Sequence, residues 1–421
     1  VAGTQAAEVV VVGAGLAGLA CAVELQRHGV AVEVLEASDA VGGRVRTDVV
    51  DGFRCDRGFQ LLNPSYPAAR ALVDLDALAL QVAGRGVEVL RPSGVARLAD
   101  PTRHPRDLPA TLASGLVRPG ELVRLGRWAA PALGSVDRLL RRPDRTLGAA
   151  LDAAGLRGSR DRLRREVLEP FLTGVVADDP AQVSERFARL LLRSFALATP
   201  GLPAAGMQAL PEQLARRLAQ PVRLAHPAHG VRRRDDAVEV LTAHGTWRAR
   251  AVVVATDPRA AAALTEQPEP ATRGLATWWF TAPEPVSSSP FLRVDGTRGG
   301  PVINTTVVSA WAPTYAPAGR PLVAATALLG AGAAPREDEV RRHLAALWQR
   351  PTDTWEVVVR HDVPHALPAA PPPLRHRREV DLGGGLLVAG DHRDTGSIQG
   401  ALVSGRRAAR AALAHVTAGA R

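Results

Sequence analysis

The sequence predicts an α/β fold in two interleaved domains. Three observations carry that expectation. A strand, a glycine-rich turn, a helix and a second strand follow one another over Val9–Leu35. Arginine-rich amphipathic and alternating segments then interrupt this pattern twice. A buried strand, a loop and a helix close it over Gly383–Leu413. At 421 residues the chain exceeds one small core, and 46% hydrophobic residues suffice to fill two.

Val9–Val12 is a β-branched run suited to a strand buried on both faces. Gly13, Gly15 and Gly18 follow as Gly-x-Gly-x-x-Gly, with Leu16 and Ala17 inside the motif. Leu16, Leu19, Ala20 and Val23 recur at helical spacing, and Gly29 supplies a stop. Ala31–Leu35 is the second strand, closed by Glu36 and Ala37. In such a unit Gly13 permits the tight turn, Gly15 admits a pyrophosphate to the backbone, and Gly18 lets helix and strand pack closely. The helix N-terminus offers free N–H groups and the positive end of its dipole. Glu36 lies 18 residues past Gly18, where a carboxylate accepts from ribose hydroxyls and repels a 2′-phosphate. The unit reads as Rossmann-type and dinucleotide-binding, without choosing between NAD and FAD.

The next residues choose. "GGRVRT", Gly42 to Thr47, resembles the segment after the Rossmann acid in flavoproteins of the amine oxidase, protoporphyrinogen oxidase and phytoene desaturase superfamily. The resemblance implies that Gly42, Gly43 and Arg44 pass along an FAD pyrophosphate, Arg44 supplying a fork of donors. "DGFRCDRGFQLLNPSYP", Asp51 to Pro67, resembles the family's following block, a strand and a turn beside the flavin ring, and places Gln60 there.

The family's two-domain architecture is then expected: 1–70, 205–270 and 375–421 form the FAD-binding domain. An interleaved α+β substrate domain takes 71–204 as its helical part and 271–374 as its sheet. "GELVRLGRWAAPALGSVDRLLRR" and "SRDRLRREVLEPFL" are amphipathic, and "LTGVVADDPAQVSERFARLLLRSF" resembles the family's substrate block. "GMQALPEQLARRL", a helix over Gly206–Leu218, resembles the return to the nucleotide domain. Strands, a turn at Asp235-Asp236 and a buried strand Ala251–Ala255 follow. The backbone near Ala228, where relatives mostly carry valine, is implied to meet the adenine. "RPLVAATALL" and "TWEVVVRHDV" alternate as strands around a helix at Glu337–Arg350. "PHALPAAPPPLRHR" reads as a proline-rich crossover without regular structure.

At the C-terminal end Leu386–Ala389 reads as a strand, then Gly390 and Asp391, then a helix. This resembles the superfamily's second FAD motif. Asp391 is implied to accept from the ribitol or to sit beside the pyrophosphate. The helix start, with Ser397, Ile398, Gln399 and Ala401, is implied to face the flavin N1–C2=O edge.

Composition narrows the function classes. All 52 basic residues are arginine and the net charge is +10. The arginines are scattered and aromatics make up only 4%, which argues against nucleic-acid binding. Cys21 and Cys55 read as core residues, with no disulfide framework, and a cytoplasmic setting is expected. No metal ligand set is apparent. The amphipathic helices between Gly120 and Leu168 raise weak membrane-surface contact as an expectation.

The resemblance implies an oxidoreductase with non-covalent FAD. Relatives that oxidise amines use a lysine near flavin N5 and a cage tyrosine; this chain has no lysine, and Ser397 occupies the tyrosine's place. Trp278, Trp279 and Phe280 are candidate pocket residues, though core packing suits them as well. The leading expectation is hydride removal from a C–C or C–N bond of a largely apolar small molecule. The alternatives are an amine oxidase with an atypical site and a non-catalytic FAD-binding protein. Gln60 and Ser397 are the polar pocket candidates, His392 is a less favoured base, and no catalytic residue is assigned.

Overall fold

The computed structural model describes residues 3–157, 161–330 and 334–418. Two sheets organise it. In the first, Val32–Leu35, Thr4–Val12 and Gly245–Val254 run parallel in that order. Leu386–Val388 pairs in parallel with the C-terminal end of Gly245–Val254. The hairpin Ala228–Arg233 and Val238–Thr242 continues the sheet from that strand's other end, with its turn where Asp235-Asp236 marked it. Val9, Val10 and Val11 are fully buried, as a strand covered on both faces requires.

Helices Leu16–Arg27 and Ile398–Ala418 lie together on one face of this sheet. Their approach is close: a Cβ at Gly405 would lie 2.1 Å from the Ala17 carbonyl oxygen. The first and last helices of the chain therefore share one core, which also takes in Trp279 and Tyr315 from the second domain.

The second sheet has seven strands. Its order is Glu356–Pro368, Thr272–Thr281, Leu322–Leu329, Val302–Val307, Leu292–Asp295, Gly86–Arg91, Gly94–Ala99. Leu292–Asp295 and Gly86–Arg91 are parallel and the other neighbours antiparallel. Helix Glu337–Trp348 packs on one face through Val340, Leu344 and Leu347, against Trp278 and Phe280. The opposite face turns toward the nucleotide domain.

Two expectations are corrected here. The segment 71–204 is not wholly helical, because Gly86–Arg91 and Gly94–Ala99 form a hairpin that ends the second sheet. The alternation in "VEVLRPSGVARLA", broken at Pro92-Ser93-Gly94, was the signal for it. The crossover 364–377 is also partly regular, since the strand Glu356–Pro368 runs through Pro364. It is an edge strand, where a missing N–H leaves no ladder bond unmade, and the pairing slips between Arg273 and Leu275. Residues 159 and 160 of the amphipathic stretch lie outside the described residues. The rest of it winds as a π-helical turn Leu163–Leu168 into helix Glu169–Val176.

Candidate functional site

The glycine turn is built from close approaches. Gly13 has φ +104° and donates its N–H to the Leu35 carbonyl at 2.7 Å. A Cβ at Gly18 would stand 1.9 Å from the Gly13 carbonyl oxygen, so no other residue fits beneath the turn. A Cβ at Gly15 would meet nothing within 4 Å. That open side is joined by the Gly-Gly pair: the Gly42 N–H donates to the Ala14 carbonyl at 2.9 Å, and Gly15 and Gly42 bridge in parallel. No side chain caps helix Leu16–Arg27 at Gly15, and the first N–H groups of a helix have no partner within it. Bare backbone around Gly15, Gly42 and Gly43 beside an uncapped helix start is the donor set a pyrophosphate needs.

Glu36 is buried beside this turn. Its Oε2 accepts from the Ala14 N–H at 2.7 Å, and its Oε1 from the Ser38 N–H and hydroxyl at 2.9 and 2.7 Å. Ala37 is exposed next to it. The His226 N–H donates to the Glu36 carbonyl at 2.8 Å and the Ala225 N–H to that of Ser38 at 3.0 Å. The chain that leads into Ala228 thus runs alongside the Glu36 loop.

Arg44 and Asp391 join the two ends of the chain. The guanidinium forks onto the carboxylate at 3.0 and 2.6 Å, and its NH1 also donates to the Ala366 carbonyl at 2.7 Å. Burial alone would lower the Arg44 pKa; the Asp391 charge beside it outweighs this and holds the guanidinium more firmly protonated than usual. Arg46 lies next to Gly42, pairs with Asp39 at 2.8 Å and keeps a buried Nε without a partner. Sequence reasoning passed over Arg46 because its neighbour matched the motif.

The pocket candidates have structural duties. The Gln60 amide donates to the Arg44 and Arg57 carbonyls at 2.7 and 3.0 Å, which fixes the turn after the Gly-Gly-Arg segment. The Ser397 hydroxyl accepts from the Gly400 N–H at 3.0 Å and so caps the last helix. Gln399 accepts from the Ala68 N–H at 2.9 Å and ties that helix start to the helix Pro67–Leu72. Ile398 and Ala401, half-buried, complete its first turn. Gly390 donates to the Ser404 hydroxyl at 2.9 Å. His392 is buried with Nδ1 unpartnered, and burial pushes its pKa down to about 4, against the pull of Asp391. It is a neutral ring packed beside Gly390.

A model of the family described as flavin containing amine oxidoreductase matches residues 16–413. The chain belongs to this family. Flavin amine oxidoreductases of known structure share its fold across nearly its full length. A putative protoporphyrinogen oxidase from Exiguobacterium sp. 255-15 is 21% identical, with 97% of this chain and 99% of that one covered and a TM-score of 0.74. A putrescine oxidase bound to putrescine is 19% identical, with 98% and 100% covered and a TM-score of 0.69. Local likeness is higher: a putative flavin-containing monoamine oxidase of Mycobacterium tuberculosis is 51% identical over 65 residues, 15% of this chain and 14% of that protein. Protoporphyrinogen oxidase 2 of Arabidopsis thaliana is 39% identical over 66 residues, 16% of this chain and 13% of that protein. The chain therefore spans about a seventh of the curated relatives it matches. Membership places the chain among flavin containing amine oxidoreductases and leaves its substrate open.

Within that family frame, one buried carboxylate escaped the sequence reading. Asp56 is fully buried and accepts from the Thr47 hydroxyl at 2.5 Å, the Met207 N–H at 3.0 Å and the Tyr315 hydroxyl at 2.9 Å. Burial nevertheless pushes its pKa up to about 6. It pins the hairpin Thr47–Val50 and Phe53–Asp56 to the return at Met207 and to Tyr315 of the second domain, and nothing in its local sequence marks it apart from other strand-end aspartates. The aromatic candidates divide: Trp278 and Phe280 pack under helix Glu337–Trp348, whereas Trp279 faces the nucleotide domain and donates its indole N–H to the Asp56 carbonyl at 3.1 Å. All three are core residues.

Proposed function

We propose that the protein binds FAD non-covalently and oxidises a C–C or C–N bond of a largely apolar small molecule. The observation that carries the reading is the Arg44–Asp391 fork, which draws the two nucleotide motifs to one place. Gly15, Gly42, Gly43 and the start of helix Leu16–Arg27 would hold the pyrophosphate, Glu36 a ribose, and the backbone near Ala228 the adenine. Arg44, Asp391 and the capped start of the last helix would frame the flavin end. Bound there, the flavin supplies a hydride acceptor. The protein's part is to place the substrate and keep water out.

The preference for an apolar substrate rests on what the second sheet turns toward the nucleotide domain. Trp279, Ala324 and Val359 share that face, and the carboxylate bonded to it, Asp48, is already held by Arg57 and His361. Tyr315 is fully buried in the core with its hydroxyl donating to Asp56, so its ring offers no open face for an aromatic cage. Both cysteines are buried with their thiols pushed up by burial, so neither offers a thiolate for covalent attachment. The protein also contacts anionic membrane surfaces weakly, through the arginine-rich helices whose apolar side chains include exposed Leu122 and Val123.

The test is anaerobic flavin bleaching of the purified yellow protein across a metabolite panel. Apolar candidates are expected to bleach it faster than benzylamine or spermine. Reduction by an amine within seconds, with apolar candidates inert, would instead establish an amine oxidase. FAD should appear entirely in the supernatant after acid precipitation; flavin kept in the pellet would refute non-covalent binding.

A further inference from the structure

Four neighbouring strands of the second sheet carry one polar residue each in a single row. His361 stands opposite Thr277, Thr277 opposite Thr326, and Thr326 opposite Asn304. Directly opposed residues point to the same face. The row is about 15 Å long, three strand spacings of ~4.8 Å. Its face is settled by its neighbours: Trp279 and Ala324 share its parity and belong to the core of the nucleotide domain. Trp278 and Ala325, of the opposite parity, pack under helix Glu337–Trp348.

The row lies between ties to the candidate cofactor site. On one side the Ala366 carbonyl holds Arg44, and Pro368 packs against Gly396, where a Cβ would stand 3.1 Å from its ring. On the other, Trp279 is bonded to Asp56. The row therefore faces the region bounded by Arg44, Asp56 and the start of the last helix.

Three of its polar atoms lack partners. Thr277 is 0% and Thr326 2% exposed, and neither Oγ1 has a hydrogen bond. The His361 Nε2 lies 2.8 Å from the Asp48 carboxylate, and its Nδ1 is buried and unpartnered too. Helix Glu169–Val176 crosses over Asn304 at Gly174, where a Cβ would stand 2.3 Å from the amide nitrogen, so only glycine leaves the amide its room. Buried polar groups are nearly always paired. Three orphans in one row, on one face, point to a partner the chain does not itself provide.

We propose that Thr277, Thr326, Asn304 and His361 form a recognition strip for one polar group of the substrate. Each threonine hydroxyl can both donate and accept, so the group is one that does both, such as an alcohol or a carboxamide, at the end of an otherwise apolar molecule. This deepens the reading above and rests on it. The four residues select and orient the substrate; they take no part in the bond-breaking step.

The test uses the flavin-loaded protein and two probes of similar shape, benzyl alcohol and ethylbenzene, titrated by the change in flavin absorbance. The wild type is expected to bind the alcohol at least tenfold more tightly. Thr277→Val/Thr326→Val should erase that preference, hold ethylbenzene affinity within about twofold, and leave Tm equal or higher, since each change removes an unpaired hydroxyl. Asn304→Ala, a second and independent variant, should lower the preference as well. A preference that survives in both variants, or flavin-loaded protein that binds neither probe, would overturn the strip while leaving the FAD reading intact. Protein purified without flavin would overturn both.

Discussion

Glu36 keeps both carboxylate oxygens occupied by the chain, yet Oε2 accepts only the Ala14 N–H and retains a free lone pair for a ribose hydroxyl. Glu36→Arg should weaken FAD retention by roughly 1.5–3 kcal/mol, the worth of a charged hydrogen bond, or about ten- to hundredfold in Kd. Fluorescence titration of the apoprotein measures it, and an unchanged Kd would remove Glu36 from the ribose site. Asp56 and His392 titrate against each other. The folded Asp56 holds its proton up to about pH 6, so its contribution is complete below about pH 4 and is lost as pH rises through 6. The folded His392 stays neutral down to about pH 4, so its contribution is complete above about pH 6.5 and is lost as pH falls through 4. Each is worth on the order of 3 kcal/mol at ~1.4 kcal/mol per unit, with opposite sign over one window. Asp56→Asn should expose the His392 slope, making urea stability climb between pH 4.5 and 6.5 more steeply than in the wild type. His392→Gln should tilt it the other way. Parallel slopes in all three proteins would show that burial does not set these titrations.

Between Gly13 and Gly18 the turn and helix touch, whereas at Gly15 they stand open. Gly18→Ala should therefore fail to fold or lose several kcal/mol, because backbone at 1.9 Å cannot move aside. Gly15→Ala should keep its circular dichroism and Tm and lose flavin. Equal damage from both would contradict the division into a packing glycine and a binding glycine. Ser397→Ala removes the cap of the last helix and should cost about 1 kcal/mol in urea unfolding. These elements were legible because short-range chemistry defines them: a Gly-x-Gly-x-x-Gly turn fixes its strand and helix within one βαβ unit, and the last helix shows its apolar face in its own spacing. The hairpin Gly86–Ala99 was missed amid arginine-rich helices, since a short strand pair gives a weaker pattern than the helices around it. The polar row was not legible at all. His361 and Thr277 are 84 residues apart in the chain, and register across four strands follows from tertiary pairing, which no local window contains.

The proposed membrane contact belongs to the scale of the whole molecule. Large apolar side chains are exposed at Leu108, Leu112, Leu122, Val123, Leu133 and Val136, within one arginine-rich stretch of the helical lobe. No described helix is long and apolar enough to span a bilayer. Co-sedimentation with anionic liposomes should be partial at low salt and abolished at high salt, and weaker still for Leu122→Ser/Val123→Ser. Absence of salt-sensitive pelleting would dispose of the membrane contact.

The fork between Arg44 and Asp391 spans 347 residues of sequence, and it sets a timetable for synthesis. At a translation rate of about 5–20 residues per second, the arginine waits roughly 20–70 seconds for its carboxylate. During that interval the Gly-x-Gly-x-x-Gly unit has neither the last helix over its first helix nor the carboxylate beside its phosphate loop. Assembly of the fork is thus a late event, one that reports the arrival of the strand Leu386–Val388 and the helix Ile398–Ala418 rather than of the first βαβ unit.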